Sequence, residues 1–122
     1  MIEGRLRTFC VSRYLTPVFQ AKTGKPVASM AFPPAHNGEL YEVARAFAQR
    51  AVSALGHTHG VFHIEAFAQP GTLRFVAGEL AARVGGNAAS EVIKRTVGVD
   101  PWVAAALALT GDPIPCVPVE PD

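Results

Sequence analysis

Residues 61–86 read VFHIEAFAQPGTLRFVAGELAARVGG, and this stretch decides the fold. Its two halves, 61–67 and 73–80, are rich in β-branched and aromatic residues, which favour strands. Between them lies Gln69-Pro70-Gly71, a sequence typical of a turn. The stretch therefore predicts an antiparallel β-hairpin.

Each strand of this hairpin carries one glutamate among apolar residues, Glu65 and Glu79. A two-residue turn at Pro70-Gly71 would pair Glu65 with Val76 and send Glu79 to the opposite face. A three-residue turn, or one bulge, would pair His63 with Glu79 and put both carboxylates on one face. We expect the second arrangement, because a divalent cation between the two carboxylates would relieve their repulsion.

The residues that follow Glu79 fit an anionic ligand. Arg83 lies four positions later, where its guanidinium can meet phosphate or carboxylate oxygens. Gly85, Gly86 and Asn87 then lead into a predicted helix, whose first N–H groups favour anions. Since magnesium prefers a few carboxylates together with phosphate oxygens, the expected ligand is a nucleotide held through Mg²⁺ (or Mn²⁺).

Outward from the hairpin, the chain alternates short strands and helices. Strands are predicted within 6–18 and 27–32, and an amphipathic helix is predicted between a cap at Asn37 and a stop at Gly56. The apolar side of that helix is expected to hold Leu40, Val43, Ala44, Phe47, Ala51, Ala54 and Leu55.

Two further helices are predicted after the hairpin. The first begins with Asn87 as its cap and ends at Gly98, and the second begins at Asp100-Pro101 and ends at Gly111. The fold class is therefore α+β, an antiparallel sheet with helices packed on it, over residues 1–111. Residues 112–122 contain four prolines and are predicted to be an extended tail.

Composition narrows the range of partners. The formal net charge is +1 and the basic residues are scattered, so no nucleic-acid partner is expected. Apolar runs fall short of 18 residues, and the first residues lack the pattern of a secretory signal. We therefore expect no membrane span and a cytoplasmic location.

Two segments of the sequence resemble a known family. Gly60 to Glu65, and Gly78-Glu79-Leu80-Ala81-Ala82-Arg83-Val84-Gly85-Gly86, are similar to the C-terminal lobe of the ATP-grasp fold, in its carboxylate–amine ligase branch. This branch includes amino-acid ligases and relatives of biotin carboxylase. The resemblance implies that Glu65 and Glu79 hold magnesium against ATP and that Arg83 steadies the transferred phosphoryl group. Gly85, Gly86 and Asn87 would lie beside the nucleotide.

The chain departs from that family in two ways. The family has an asparagine where this chain has Ala81, which removes an amide ligand for metal. The lobe that grips the phosphates and most of the adenine pocket also lies outside this region, so the chain offers half a site and is not expected to be active alone. The expected partner is a chain carrying the N-terminal lobe, together with ATP and a carboxylate substrate. A stand-alone, catalytically degenerate binding module that forms a homodimer is the alternative.

Overall fold

The computed structural model describes residues 1–86 and 88–115. Over these residues the chain is α+β, as expected. The strands are β1 (Val11–Tyr14), β2 (Ser29–Phe32), β3 (His63–Ala68) and β4 (Phe75–Ala81), and the helices are α1 (Gly38–Ala54), α2 (Ala89–Val97) and α3 (Pro101–Thr110). Two short 3₁₀ turns, Val18–Thr23 and Pro34–His36, flank β2.

The strands form two antiparallel sheets instead of the single sheet that was expected. Strand β1 pairs with β2, and β3 pairs with β4, and within residues 1–86 and 88–115 each sheet consists of these two strands. The predicted strand region 6–18 is also shorter than expected, because its end turns into the first 3₁₀ segment. Pro17 occupies the N-cap position of that segment and cannot donate a ladder hydrogen bond.

Local capping signals place the last helix as predicted. The Asp100 side chain accepts hydrogen bonds from the backbone N–H groups of Trp102 and Val103, at 3.0 and 3.3 Å. Gly98 and Gly111 end α2 and α3 in the left-handed conformation, with φ of 70° and 79°. Asn87, predicted to cap α2, lies outside the described residues, and Ala88 holds the N-cap position.

The core lies between α1, the first residues of the chain and the face of the β3–β4 hairpin that carries Ile64 and Leu80. Its buried members are Met1, Leu6, Ala48 and Val52, with Phe9, Phe62, Ile64 and Leu80 packed against them. The buried side of α1 is therefore rotated about the helix axis from the predicted one. Ala48 and Val52 are buried, whereas Leu55, which was predicted on the apolar side, remains 66% exposed.

One predicted cap is wrong in its chemistry. Asn37 does occupy the N-cap position of α1, but its side chain makes no capping hydrogen bond. Its Nδ2 donates instead to the Pro33 carbonyl at 2.8 Å, because the preceding 3₁₀ turn brings that carbonyl within reach.

The last described residues of the chain and the lengths of its helices bear on the predicted tail and on membrane spanning. Residues 112–115 form no helix or strand, and the rest of the predicted tail falls outside the described residues. In the described ranges, no helix has the length and apolar character needed to cross a membrane.

Candidate functional site

The β3–β4 hairpin places Glu65 directly opposite Glu79. The ladder shifts register between Glu65 and Ala66, so that Glu65 faces Glu79 while Ala66 faces Ala77, and Gly78 is the extra residue. A bulge, one of the two irregularities that were expected to bring the carboxylates together, is therefore present, and both carboxylates lie on one face of the hairpin. Their side chains are 37% and 54% exposed, so solvent and a ligand can reach both.

The exact pairing differs from the expected one, because His63 faces Ala81 and not Glu79. The reason is the turn, which is longer than three residues. The Gln69 N–H donates to the Arg74 carbonyl at 3.0 Å, and the Thr72 N–H donates to the Gln69 carbonyl at 3.1 Å. The longer turn and the bulge each move the partner of His63 one residue further along β4.

Tyr14 and Arg83 offset the charge of the carboxylate pair, and His63 lies beside it. The Tyr14 hydroxyl donates to Glu65 Oε1 at 2.7 Å, and His63 Nε2 lies 3.6 Å from the same oxygen. Arg83 lies on the other side, with its guanidinium 3.4 Å from Glu79 Oε1. Repulsion between the carboxylates is thus reduced by these groups, so repulsion alone does not require a cation.

Tyr14 is the residue that the sequence did not identify. Its hydrogen bond to Glu65, together with burial and the charges of Glu65 and Glu79, raises its pKa to about 12. Tyr14 therefore remains protonated at neutral pH and acts as a hydrogen-bond donor. It lies 51 residues from Glu65 in the sequence, and nothing in the pattern of β1 indicates this contact.

Arg83 follows β4 in a bend that turns its side chain back over the strand. Its backbone N–H donates to the Ala81 carbonyl at 2.9 Å, and its guanidinium also donates to the Val84 carbonyl at 3.1 Å. The side chain is 56% exposed. Because an exposed ion pair of this kind is weak, an anionic ligand can compete with Glu79 for the guanidinium.

The two glycines after Arg83 have different surroundings. A Cβ on Gly85 would lie 3.1 Å from His63 Nδ1 and 3.2 Å from the Ala89 side chain. The absence of a side chain at this position therefore lets His63 and Ala89 lie close to the backbone. A Cβ on Gly86 would meet nothing within 4 Å. Gly85 therefore brings the start of α2 against the His63 side of the site, whereas Gly86 lies at open space. Asn87, the last predicted site residue, falls outside the described residues.

An apolar pair lies beside the carboxylates on the same face. Phe67 is paired with Val76, two pairs closer to the turn than the glutamates, and the two are 73% and 54% exposed. The Phe67 ring lies over Gly78, where a Cβ would be only 3.0 Å from Cε2. The face thus has a carboxylate end and an apolar end, which suits a ligand with a charged part and an uncharged part.

The donor set limits what the site can hold by itself. In the part of the chain that the structure describes, no three His, Cys, Asp or Glu side chains are grouped to hold a metal ion. The pair of carboxylates would need ligand oxygens and water to complete a coordination shell. This is the way in which Mg²⁺ is usually bound, through one or two carboxylates and substrate phosphates.

Comparison of the chain with protein-family models, curated proteins and solved structures finds no match to any of them.

Proposed function

We propose that this chain supplies the magnesium–ATP half-site of an ATP-dependent carboxylate–amine or carboxylate–thiol ligase, as a C-terminal lobe of the ATP-grasp type. The observation that carries the proposal is the direct cross-strand pairing of Glu65 and Glu79. Arg83 at the edge of this pair adds the positive charge that a phosphoryl group needs.

In this proposal the two carboxylates bind Mg²⁺ or Mn²⁺, and Arg83 leaves Glu79 for an oxygen of the transferred phosphoryl group. A substrate carboxylate oxygen attacks the terminal phosphorus of ATP, and the bond from that phosphorus to the ADP oxygen breaks. The acylphosphate then reacts with an amine or thiol, which forms the new bond to carbon while phosphate leaves. Bound metal would neutralise charge on the phosphoryl oxygens, and Arg83 would add to that effect.

The remaining residues of the face support nucleotide binding. Gly86, where a Cβ would meet nothing within 4 Å, leaves room for a phosphate to approach the backbone, and Gly85 holds the start of α2 beside it. The apolar pair of Phe67 and Val76 can contact an uncharged part of the ligand. The rest of the ATP site is expected on a second lobe, supplied by another chain or region. A cytoplasmic location, where ATP is available, belongs to the same proposal.

Calorimetric titration with Mg²⁺ and ATP, or with Mg²⁺ and ADP, tests the proposal. Binding by the wild-type chain should be lost in Glu79→Gln. The matched control is Glu91→Gln, because Glu91 also pairs with an arginine four residues later, Arg95, at 2.7 Å but lies in α2, outside the carboxylate pair of the hairpin. Equal binding by Glu79→Gln and the wild type would overturn the assignment, and so would the absence of binding in the wild type.

The second candidate function is a binding module that forms a homodimer, and the exposed surface favours it. Helix α3 carries two large apolar side chains on the surface, Trp102 and Leu109, which are 64% and 88% exposed.

The oligomeric state from sedimentation, taken together with the nucleotide titration, separates the two candidates. A dimer that binds no nucleotide supports the module, whereas a chain that binds magnesium–ATP supports the ligase half-site. If adding a chain with the N-terminal lobe gives no ADP release with any carboxylate, catalysis by the assembled pair is excluded.

A further inference from the structure

The contact between Tyr14 and Glu65 joins two parts of the fold that share no strand pairing. Tyr14 is the last residue of β1, which pairs with β2, whereas Glu65 is in β3, which pairs with β4. The Tyr14 side chain is 43% exposed, so burial of its ring contributes only part of what holds it in place. Its hydroxyl donates to a charged acceptor at 2.7 Å, and hydrogen bonds of this kind are among the strongest in proteins.

The side chains around each carboxylate contact its two oxygens unequally. Among the described residues, each donor or cationic group found near Glu65 meets Oε1, namely Tyr14 and His63. Glu79 likewise meets Arg83 through Oε1. Each glutamate therefore keeps its second oxygen, Oε2, for a ligand, while its first oxygen is held by the protein.

We propose that Tyr14 is a positioning residue for the metal site, whose hydroxyl orients the Glu65 carboxylate so that its second oxygen faces the cation. This inference rests on the proposed function, because it assigns Tyr14 a role at the same pair of carboxylates. Groups that hydrogen-bond to metal ligands typically change metal affinity by about 10- to 100-fold when they are removed.

Tyr14→Phe removes the hydroxyl and keeps the ring. We expect the affinity of the chain for Mn²⁺, measured by calorimetry in the presence of ADP, to fall at least about tenfold in this variant. The matched control is Tyr41→Phe. The Tyr41 hydroxyl is hydrogen-bonded as well, to the Phe32 carbonyl at 2.8 Å and from the Val11 N–H at 3.2 Å, and both of these partners are backbone groups of β1 and β2. Tyr41→Phe should bind Mn²⁺ like the wild type.

A second readout compares the two tyrosines within the wild-type chain. The chain has two tyrosines, so labelling with fluorotyrosine gives two ¹⁹F resonances, which the two Phe variants assign. Manganese is paramagnetic and broadens nearby nuclei most. Bound Mn²⁺ should remove the Tyr14 resonance at an occupancy at which the Tyr41 resonance is still sharp.

The outcomes separate the two proposals. If the wild type binds Mn²⁺ with ADP, and Tyr14→Phe binds equally well, the positioning role of Tyr14 is wrong and the half-site stands. Equal broadening of both tyrosines would also overturn the role. If the wild type binds no Mn²⁺ with ADP, both the half-site and the role of Tyr14 are wrong.

Discussion

Glu79→Gln is expected to stabilise the chain without metal and to remove its response to magnesium. Opposed residues in an antiparallel pair have Cβ atoms about 5 Å apart, and two like charges at that distance repel by about 1 kcal/mol at the dielectric constant of bulk water, which suits these half-exposed side chains. The substitution removes this repulsion between Glu65 and Glu79. It also removes the exposed ion pair with Arg83, which contributes about 0.3–0.5 kcal/mol. The net expectation is a gain of about 0.5 kcal/mol in the free energy of unfolding.

Magnesium should reverse the order of stability of the wild type and Glu79→Gln. A ligand at about ten times its dissociation constant stabilises the folded state by about 1.4 kcal/mol, provided that the unfolded chain does not bind it. The wild type should gain this amount and Glu79→Gln should gain none. With magnesium the wild type therefore becomes the more stable of the two, by about 1 kcal/mol.

Urea denaturation with and without MgCl₂ measures both effects, with sodium chloride added to equalise ionic strength because salt screens the repulsion. Glu91→Gln serves as the control, since it loses an ion pair of the same spacing with Arg95 and relieves no carboxylate pair. It should be slightly less stable than the wild type and keep the full magnesium response. The reasoning is refuted if Glu79→Gln is the less stable protein without metal, or if magnesium stabilises both proteins equally.

Three further predictions concern the fold. Val52 is fully buried, so Val52→Ala should lower the free energy of unfolding by about 2 kcal/mol in urea denaturation, and no change would contradict the assigned core. Tyr41→Phe should cost about 1–2 kcal/mol in the same assay, because the hydroxyl holds backbone groups of β1 and β2; a cost near zero would show that these bonds do not form. Hydrogen bonds from the Val103 and Trp102 N–H groups, and the charge of Lys94, lower the pKa of Asp100. Its capping therefore contributes stability above the ordinary aspartate pKa of about 3.9 and loses it as the pH falls through the lowered value. Thermal denaturation across this range should show a weaker pH dependence in Asp100→Asn, which still caps, and an unchanged dependence would contradict the assignment.

Local signals in the sequence predicted the parts of the fold that depend on neighbouring residues. The turn glycine Gly71 has φ of 70°, and Gly98 and Gly111 end their helices in the same region of backbone conformation. Asp100 caps α3 as predicted. These features follow from conformational preferences that act within a few residues, and so they can be read from sequence.

Contacts between distant segments could not be predicted in the same way. The strands divide into two sheets according to which segments pair. Ala48 and Val52 form the buried side of α1 because they pack with Met1 and Leu6 from the start of the chain. The contact of Tyr14 with Glu65 spans 51 residues. For the candidate site, the sequence therefore predicted that Glu65 and Glu79 share a face but not which side chains hold them.

The central claim is that Glu65 and Glu79 together bind a divalent cation. Crystals of the chain soaked with MnCl₂ and ADP test it directly, because manganese gives anomalous scattering that locates it without assumptions. We predict an anomalous peak between the two side chains, about 2.1 Å from one carboxylate oxygen of each. A crystal in which manganese lies elsewhere, while Tyr14 and Arg83 keep their contacts with Glu65 and Glu79, would contradict the claim.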